Sequence, residues 1–214
     1  MYVAIEGVIG VGKTTLARLL QPAFDAEIFL EVFEENPFLS DFYGDRERYA
    51  FQTQVFFLLS RYHQQRRIAL SAALTEKNVI ADYTFEKDAL FARINLKGDE
   101  LEMYYKVHEA LAEKALKPDL LVYLQASTDI LMQRIALRDR PYEREMERAY
   151  IHELNSAYDE FFSKPFGQTP VLTIDTNDLN VVQTPEHLKR VEERIRQSLS
   201  LPPFQQTLPA PFRG

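Results

Sequence analysis

Short apolar stretches alternate with longer amphipathic segments along most of the chain. The apolar stretches are typical of buried strands and span residues 2–5, 27–32, 78–82, 119–124 and 171–175. In the segments between them, apolar residues recur every three or four positions, as on one face of a helix. These helical segments span residues 46–74, 85–94, 100–116, 145–162 and 185–199, with two more that begin near residues 15 and 128. Such alternation predicts an α/β fold with a five-stranded parallel sheet flanked by helices.

A glycine-rich segment joins the first strand to the first helix. It fits the phosphate-binding pattern G-x-x-x-x-G-K-[ST] in the strand–loop–helix setting that this pattern requires. Backbone amides at a helix N-terminus favour an anion, so we expect the loop to bind the phosphates of ATP. Lys13 is expected to reach the β/γ-phosphates, and the Thr14 hydroxyl is expected to hold Mg²⁺. The predicted phosphate-binding residues are Gly7, Val8, Ile9, Gly10, Val11, Gly12, Lys13, Thr14 and Thr15.

Length and composition limit the class of protein. The 214 residues suit one domain, which we place at residues 1–200, followed by a proline-rich tail at 201–214. The net charge of −7 argues against a nucleic-acid polymer as partner. The chain has no cysteine and no apolar stretch long enough to span a bilayer, and Met1 runs directly into the first strand. We therefore predict a cytoplasmic protein without a membrane segment.

Acidic residues follow two of the predicted strands. Glu31, Glu34 and Glu35 come at the end of the second strand, and Asp82 ends the third. Ligands of parallel α/β sheets bind beyond the carboxyl ends of the strands, so these carboxylates are placed for chemistry. Asp82 stands where P-loop proteins commonly carry a second acid linked to Mg²⁺. A solvated acidic loop is the alternative explanation of the glutamates.

The long helix predicted at residues 46–74 is apolar on more than one side, so we expect it to be mostly buried. Gln54 and Arg61 lie seven residues apart and therefore share one face of this helix. A buried glutamine and a buried arginine need partners, which are either other side chains or a polar ligand.

The fifth predicted helix, which begins near residue 128, ends in an arginine-rich run. Arg134 and Arg138 share a helix face, and Arg140 lies just before Pro141. A run of charges is usually a solvated face, but guanidinium groups also stabilise the charge of a phosphoryl group in transfer. Beside a P-loop, residues 134–145 are therefore predicted to form a lid that closes over ATP.

Together these segments resemble the deoxynucleoside kinase family, most closely its bacterial purine-preferring members of the deoxyguanosine kinase type. The likeness covers nearly the whole chain up to about residue 199. It implies a P-loop kinase fold with an arginine-rich lid, and it implies a homodimer. The motifs that carry it are residues 7–15, 31–39 with 42–43, 51–54 with 60–61, 81–83 and 134–143.

The resemblance also implies roles for single residues. Glu31 matches the general base that acts on the nucleoside 5′-hydroxyl, and Gln54 matches the amide that bonds to the base. Arg61 and Asp88 match a pair that helps to read the base edge. The remaining matches are Tyr43 and Glu143, which would bind the sugar 3′-hydroxyl, and Lys13, Arg134, Arg138 and Arg140, which would act on the phosphates. The adenine-side loop would fall at residues 175–179.

One position departs from the family pattern. Many members carry an arginine after the acid of the third strand, near the 5′-oxygen and the phosphates, but here Tyr83 follows Asp82. The Asp-Tyr form occurs in the deoxyguanosine kinase-like branch, which supports that assignment. Arg138 or Arg140 is our candidate for the cation that does the work of the missing arginine.

The implied activity is Mg·ATP-dependent phosphorylation of a purine 2′-deoxynucleoside, deoxyguanosine or deoxyadenosine, in nucleotide salvage. Two alternatives stay open. A nucleoside monophosphate kinase of the thymidylate type needs cations around the acceptor phosphate, whereas Glu31, Glu34 and Glu35 would repel it. A P-loop switch or ATPase would bind partners instead, but the Asn-Lys-x-Asp segment of a GTPase switch is absent from the sequence.

Overall fold

The computed structural model describes residues 1–75 and 77–203. Its strands form one sheet, in which every neighbouring pair is parallel and the order is β2-β3-β1-β4-β5. The predicted five-stranded parallel sheet is therefore confirmed. The strands are β1 Tyr2–Glu6, β2 Ala26–Phe29, β3 Asn78–Ala81, β4 Leu120–Gln125 and β5 Val171–Asp175.

Helices pack against the sheet and connect its strands. β1 is buried along its whole length because it lies between β3 and β4 and is covered on both faces. Ser127 caps the helix after β4, since its hydroxyl accepts a hydrogen bond from the amide of Ile130. The helices are α1 Lys13–Phe24, α2 Leu39–Gly44, α3 Arg46–Leu74, α4 Lys87–Asn95, α5 Gly98–Ala112, α6 Thr128–Arg138, α7 Arg148–Phe162 and α8 Pro185–Ser198.

The second strand is shorter than predicted. It pairs with β3 only as far as Phe29, which lies opposite Ala81. The amide of Glu31 instead donates to Oδ1 of Asp82 at 2.7 Å, so the chain leaves the sheet before it reaches Glu31. A short 3₁₀ helix at Phe33–Glu35 and the unpredicted helix α2 follow. Glu31 therefore lies on a loop beyond the strand rather than at its end.

Helix α3 has the predicted bounds, but the expectation that it is mostly buried is wrong. Leu59, Leu70 and Leu74 are 44%, 60% and 72% exposed. Their spacing places them along one side of the helix, opposite the side that carries the buried Gln54 and Arg61. Of the predicted proline-rich tail, residues 204–214 lie outside the described part of the chain.

Candidate active site

Two cavities meet at the carboxyl edge of the sheet. The P-loop cavity is lined by Gly12, Arg134 and residues 176–183, which follow β5. The Glu31 cavity is lined by Glu31 and by side chains of α3 and α4. Gly10 and Arg138 line both cavities, so a group bound in one can reach a group bound in the other across the tip of the P-loop.

The P-loop needs glycine where it turns between β1 and α1. Gly7 has φ +145°, and a Cβ there would lie 2.5 Å from the carbonyl oxygen of Leu124. Gly10 has φ +87°, and a Cβ there would lie 2.8 Å from Cγ1 of Ile135 on α6. Both values of φ are unfavourable for residues with a side chain, and the space is closed as well. The loop therefore packs tightly against β4 and α6.

Lys13 lies in the Glu31 cavity at the first position of α1. Its ammonium donates to the carbonyl oxygens of Gly7 at 2.7 Å and Val8 at 3.2 Å. Burial, with the positive charge of Lys87 nearby, lowers the pKa of Lys13 to about 8. A phosphate beside this lysine would favour its charged form.

Asp82 connects the P-loop to the loop that carries Glu31. Its Oδ2 accepts a hydrogen bond from the Thr14 hydroxyl at 2.5 Å, and its Oδ1 accepts from the Glu31 amide at 2.7 Å. Mg²⁺ prefers a few protein oxygens together with phosphate oxygens and waters. The adjacent oxygens of Thr14 and Asp82 fit that requirement, although the described residues hold no cluster of three or more histidine, aspartate or glutamate ligands.

Glu31 faces two buried cations. Its Oε1 lies 2.8 Å from Nη1 of Arg61, and its Oε2 lies 2.5 Å from Nζ of Lys87. Burial alone would raise the pKa of Glu31, but the charges of Arg61 and Lys87 outweigh burial and hold that pKa well below its usual range. Glu31 is therefore ionised throughout the physiological pH range.

Arg61 is held in place by Asp88, the partner that the sequence paired with it. Its Nε donates to both carboxylate oxygens of Asp88, at 2.8 and 2.7 Å. The two side chains are 3% and 2% exposed. Burial alone would lower the pKa of Arg61, but the carboxylates of Asp88 and Glu31 raise it well above its ordinary value. The guanidinium therefore bridges two carboxylates and stays charged.

Gln54 lies on the wall of the Glu31 cavity and is 2% exposed. Within residues 1–75 and 77–203 no protein group forms a hydrogen bond with its amide. Phe57 and Phe91 line the same cavity and supply flat apolar surface. A buried amide without a protein partner, beside aromatic rings, suits a planar ligand that has both a donor and an acceptor.

Tyr43 and Glu143 reach the same cavity from different elements. Tyr43, on α2, stacks on Tyr142 with the ring planes 10° apart. Glu143 is buried, and its carboxylate accepts hydrogen bonds from Arg138 at 2.6 Å. The structure thus brings Glu31, Tyr43, Gln54, Arg61, Asp88 and Glu143 to one cavity, as the resemblance to the family implies for a common site.

The three arginines of the predicted lid have different partners in the structure. Arg134 bonds to the carbonyl oxygen of Val11 and to Thr176, so it braces the P-loop cavity. Arg138 binds Glu143, and the guanidinium of Arg140 lies 4.2 Å from the centre of the Phe33 ring. Arg134 and Arg138 both line the P-loop cavity, and the action of all three arginines on the phosphates stays a prediction.

Sequence reasoning missed Lys87, which binds Glu31 across 56 positions of the chain. It stands between Glu86 and Asp88, and such a run of charges normally indicates a solvated helix start. Glu31 would not repel a monophosphate as predicted, because Arg61 and Lys87 offset the charge of its carboxylate. Glu35 is exposed, and the side chain of Glu34 lies outside the described part of the structure.

Comparison with known proteins identifies close relatives over almost the whole chain. A sequence model described as deoxynucleoside kinase matches residues 3–200. A deoxyguanosine kinase of Bacillus subtilis is 34% identical over 199 residues, which cover 92% of this chain and 96% of that relative. A deoxyadenosine kinase of Dictyostelium discoideum is 32% identical over 201 residues, which cover 91% of this chain and 80% of the relative.

Solved structures agree with the sequence relatives. Deoxyadenosine kinase from M. mycoides with bound dCTP superposes with a TM-score of 0.79 at 26% identity and covers 92% of this chain and 100% of that one. The same kinase with bound dATP gives a TM-score of 0.80 at 27% identity. In the part of the chain that the structure describes, no helix has the length and apolar character needed to cross a membrane.

Proposed function

The chain belongs to the deoxynucleoside kinase family, and we propose that it phosphorylates the 5′-hydroxyl of a purine 2′-deoxynucleoside in nucleotide salvage. The donor is a nucleoside triphosphate, for which we propose ATP, and the acceptor is deoxyguanosine or deoxyadenosine. One observation carries this proposal. The ionised Glu31 and the unpartnered Gln54 share a cavity that opens onto the P-loop.

On the acceptor side, Gln54 offers a donor and an acceptor to the edge of a base. Phe57 and Phe91 supply apolar surface for its ring, and Tyr43 and Glu143 lie where a sugar hydroxyl needs partners. Glu31 is proposed to accept the proton of the 5′-hydroxyl as that oxygen attacks the γ-phosphorus. A neighbouring carboxylate is the usual proton acceptor for such an alcohol.

On the donor side, the amides of the P-loop and the ammonium of Lys13 are proposed to bind the β- and γ-phosphates. Thr14 and Asp82 are the residues that would hold Mg²⁺, which neutralises phosphate charge when it is bound. Arg134 fixes the loop after β5 against the P-loop, and this loop would border the nucleobase of the donor. Arg138 lines both cavities and Arg140 lines the Glu31 cavity, so both would place positive charge near the transferred phosphoryl group.

Residues 134–145 are proposed to act as the lid of a single domain that spans residues 1–200. The segment runs from α6 through the 3₁₀ turn Pro141–Glu143, and it carries Arg138, which lines both cavities. Closure of such a segment would exclude water from the phosphoryl group.

A homodimer is proposed as the assembled form, and a cytoplasmic location remains our prediction. Leu59, Leu70 and Leu74 on α3 and Met103 and Val107 on α5 are exposed, and α3 contacts α5. Exposed apolar side chains on two neighbouring helices favour an interface between copies. Sedimentation should give about twice the monomer mass, and Leu59→Glu with Leu70→Glu should shift the protein towards the monomer.

The proposed activity is tested by release of ADP from ATP and Mg²⁺ against a panel of nucleosides and nucleoside monophosphates. We expect turnover with purine 2′-deoxynucleosides, and we expect EDTA to abolish this turnover because it removes Mg²⁺. For Glu31→Gln we expect kcat to fall by about 10²-fold or more. Turnover with monophosphates alone would support the monophosphate kinase instead. ADP release that is independent of any acceptor would indicate an ATPase or a switch protein.

A further inference from the structure

Lys87 lines the Glu31 cavity but has no role in the proposed binding of donor or acceptor. It is the first residue of α4, its side chain is 7% exposed, and its ammonium lies 2.5 Å from Oε2 of Glu31. Its Nζ lies 5.5 Å from the centre of the Phe91 ring. Lys13 lines the same cavity, and the two lysines are near enough for the charge of Lys87 to affect Lys13. Two neighbouring buried ammonium groups repel each other unless an anion lies between them.

Glu31 must be basic enough to accept a proton from a substrate hydroxyl. In the structure its Oε1 accepts from Nη1 of Arg61 at 2.8 Å, and its Oε2 faces Nζ of Lys87. Cations on both oxygens stabilise the ionised carboxylate and make it a poor proton acceptor. Withdrawal of one of the two cations would make Glu31 a better proton acceptor at the moment of transfer.

Arg61 is the cation that stays. Its Nε is bound to both oxygens of Asp88, and its guanidinium carbon lies 5.4 Å from the centre of the Tyr83 ring. A planar guanidinium held at several points loses several contacts when it turns away. Lys87 carries a single point charge on a flexible stem, and Glu31 is the acceptor of the hydrogen bond from its ammonium in the described structure. Lys87 is therefore the cation that a substrate hydroxyl can displace.

We propose that Lys87 leaves Glu31 when the nucleoside binds and then contacts the transferring phosphoryl group opposite Lys13, as a catalytic residue. This inference rests on the proposed function. In the step itself, the 5′-oxygen forms a bond to the γ-phosphorus and its proton passes to Oε2 of Glu31. The bond from the γ-phosphorus to the bridging oxygen breaks, and its electron pair remains on ADP. Lys87 keeps its protons throughout and neutralises charge on the equatorial oxygens.

The test compares Lys87→Met with the wild type in two separate measurements. The first is the dissociation constant of the accepted deoxynucleoside without donor, by calorimetry, and the second is kcat at saturating ATP. We expect unchanged or tighter nucleoside binding, because Oε2 of Glu31 is no longer occupied. We expect kcat to fall by about 10²–10³-fold, the usual loss when one electrostatic stabiliser is removed. Lys97→Met is the matched control, since Lys97 is exposed, and it should leave both values unchanged.

Two further variants keep the inference testable if Lys87→Met folds poorly. Lys87→Arg retains the charge and should keep a tenth or more of the wild-type kcat. Lys87→Ala should lose kcat and regain part of it when ethylammonium is added. If Lys87 only holds Glu31 in place, nucleoside affinity and kcat should fall together in Lys87→Met, and that result would overturn the inference. An unchanged kcat in Lys87→Met would overturn it as well. If the wild type phosphorylates no deoxynucleoside, the proposed function itself has failed.

Discussion

The pair formed by Arg61 and Asp88 allows a measurement of what burial adds to an ion pair, because the chain contains a similar pair on its surface. Arg144 binds Asp139 through Nε at 2.7 Å and Nη2 at 2.8 Å, and both side chains are 61% exposed. Arg61 binds Asp88 at 2.8 and 2.7 Å, with side chains that are 3% and 2% exposed. The two pairs have similar distances and differ most in their contact with water, although Arg61 also binds Glu31 through Nη1.

Asp88→Asn removes one charge from the buried pair and leaves the guanidinium without its full counter-charge. Breaking a buried ion pair costs about 3–5 kcal/mol. The remaining carbonyl oxygen can still accept one hydrogen bond, so we take the lower end of that range. For a chain of this size about 1 kcal/mol lowers Tm by about 2–4 °C, so the expected fall is about 6–12 °C.

The assay is thermal unfolding followed by circular dichroism at neutral pH, with Asp139→Asn as the control. Asp139 has φ +48°, a conformation that asparagine adopts as readily as aspartate, so the control introduces no backbone strain. We expect no resolvable change in Tm for Asp139→Asn, because water and salt screen that pair. Equal shifts in the two variants would refute the reasoning, since burial would then make no difference to the pair.

The other variants test the two cavities separately. Gln54→Ala should raise KM for the nucleoside by about 10- to 100-fold and leave KM for ATP unchanged, because a buried polar partner of the base is lost. The control is Gln52→Ala, since Gln52 is exposed, and an unchanged nucleoside KM in Gln54→Ala would place the base elsewhere. Gly10→Ala should destabilise the fold by about 1–3 kcal/mol and weaken ATP binding, because its Cβ would meet Ile135 at 2.8 Å; full stability in a urea titration would contradict this. Arg134→Met should raise KM for ATP about tenfold and leave the nucleoside KM unchanged; equal changes in both would argue against its place on the donor side.

The fold and much of the candidate site could be predicted from local sequence patterns. Alternating apolar and amphipathic segments are local signals, and they gave the parallel sheet that places Asp82 beside the P-loop. The helical period of α3 correctly placed Gln54 and Arg61 on one face, since both line the same cavity. These features depend on residues that are close in sequence.

The features that were missed depend on contacts between distant segments. Glu31 leaves the sheet because its amide binds Asp82, 51 positions away. Lys87 contacts Glu31 because α4 packs beside α3, and the residues around Lys87 in the sequence do not predict this contact. Arg134 bonds to Thr176, 42 positions away, although its spacing from Arg138 suggested a shared task. Ion pairs and hydrogen bonds of this kind become visible only in three dimensions.

The hydrogen bonds of Asp82 join the two halves of the site mechanically. Its two oxygens hold the hydroxyl of Thr14 on one side and the backbone of Glu31 on the other. The distance between the P-loop, which would bind the donor, and the loop of Glu31, which would bind the acceptor, is thus set by the width of one carboxylate. Because both loops are bound to one carboxylate, a displacement of either loop would move the other, and the two reactants would keep their alignment.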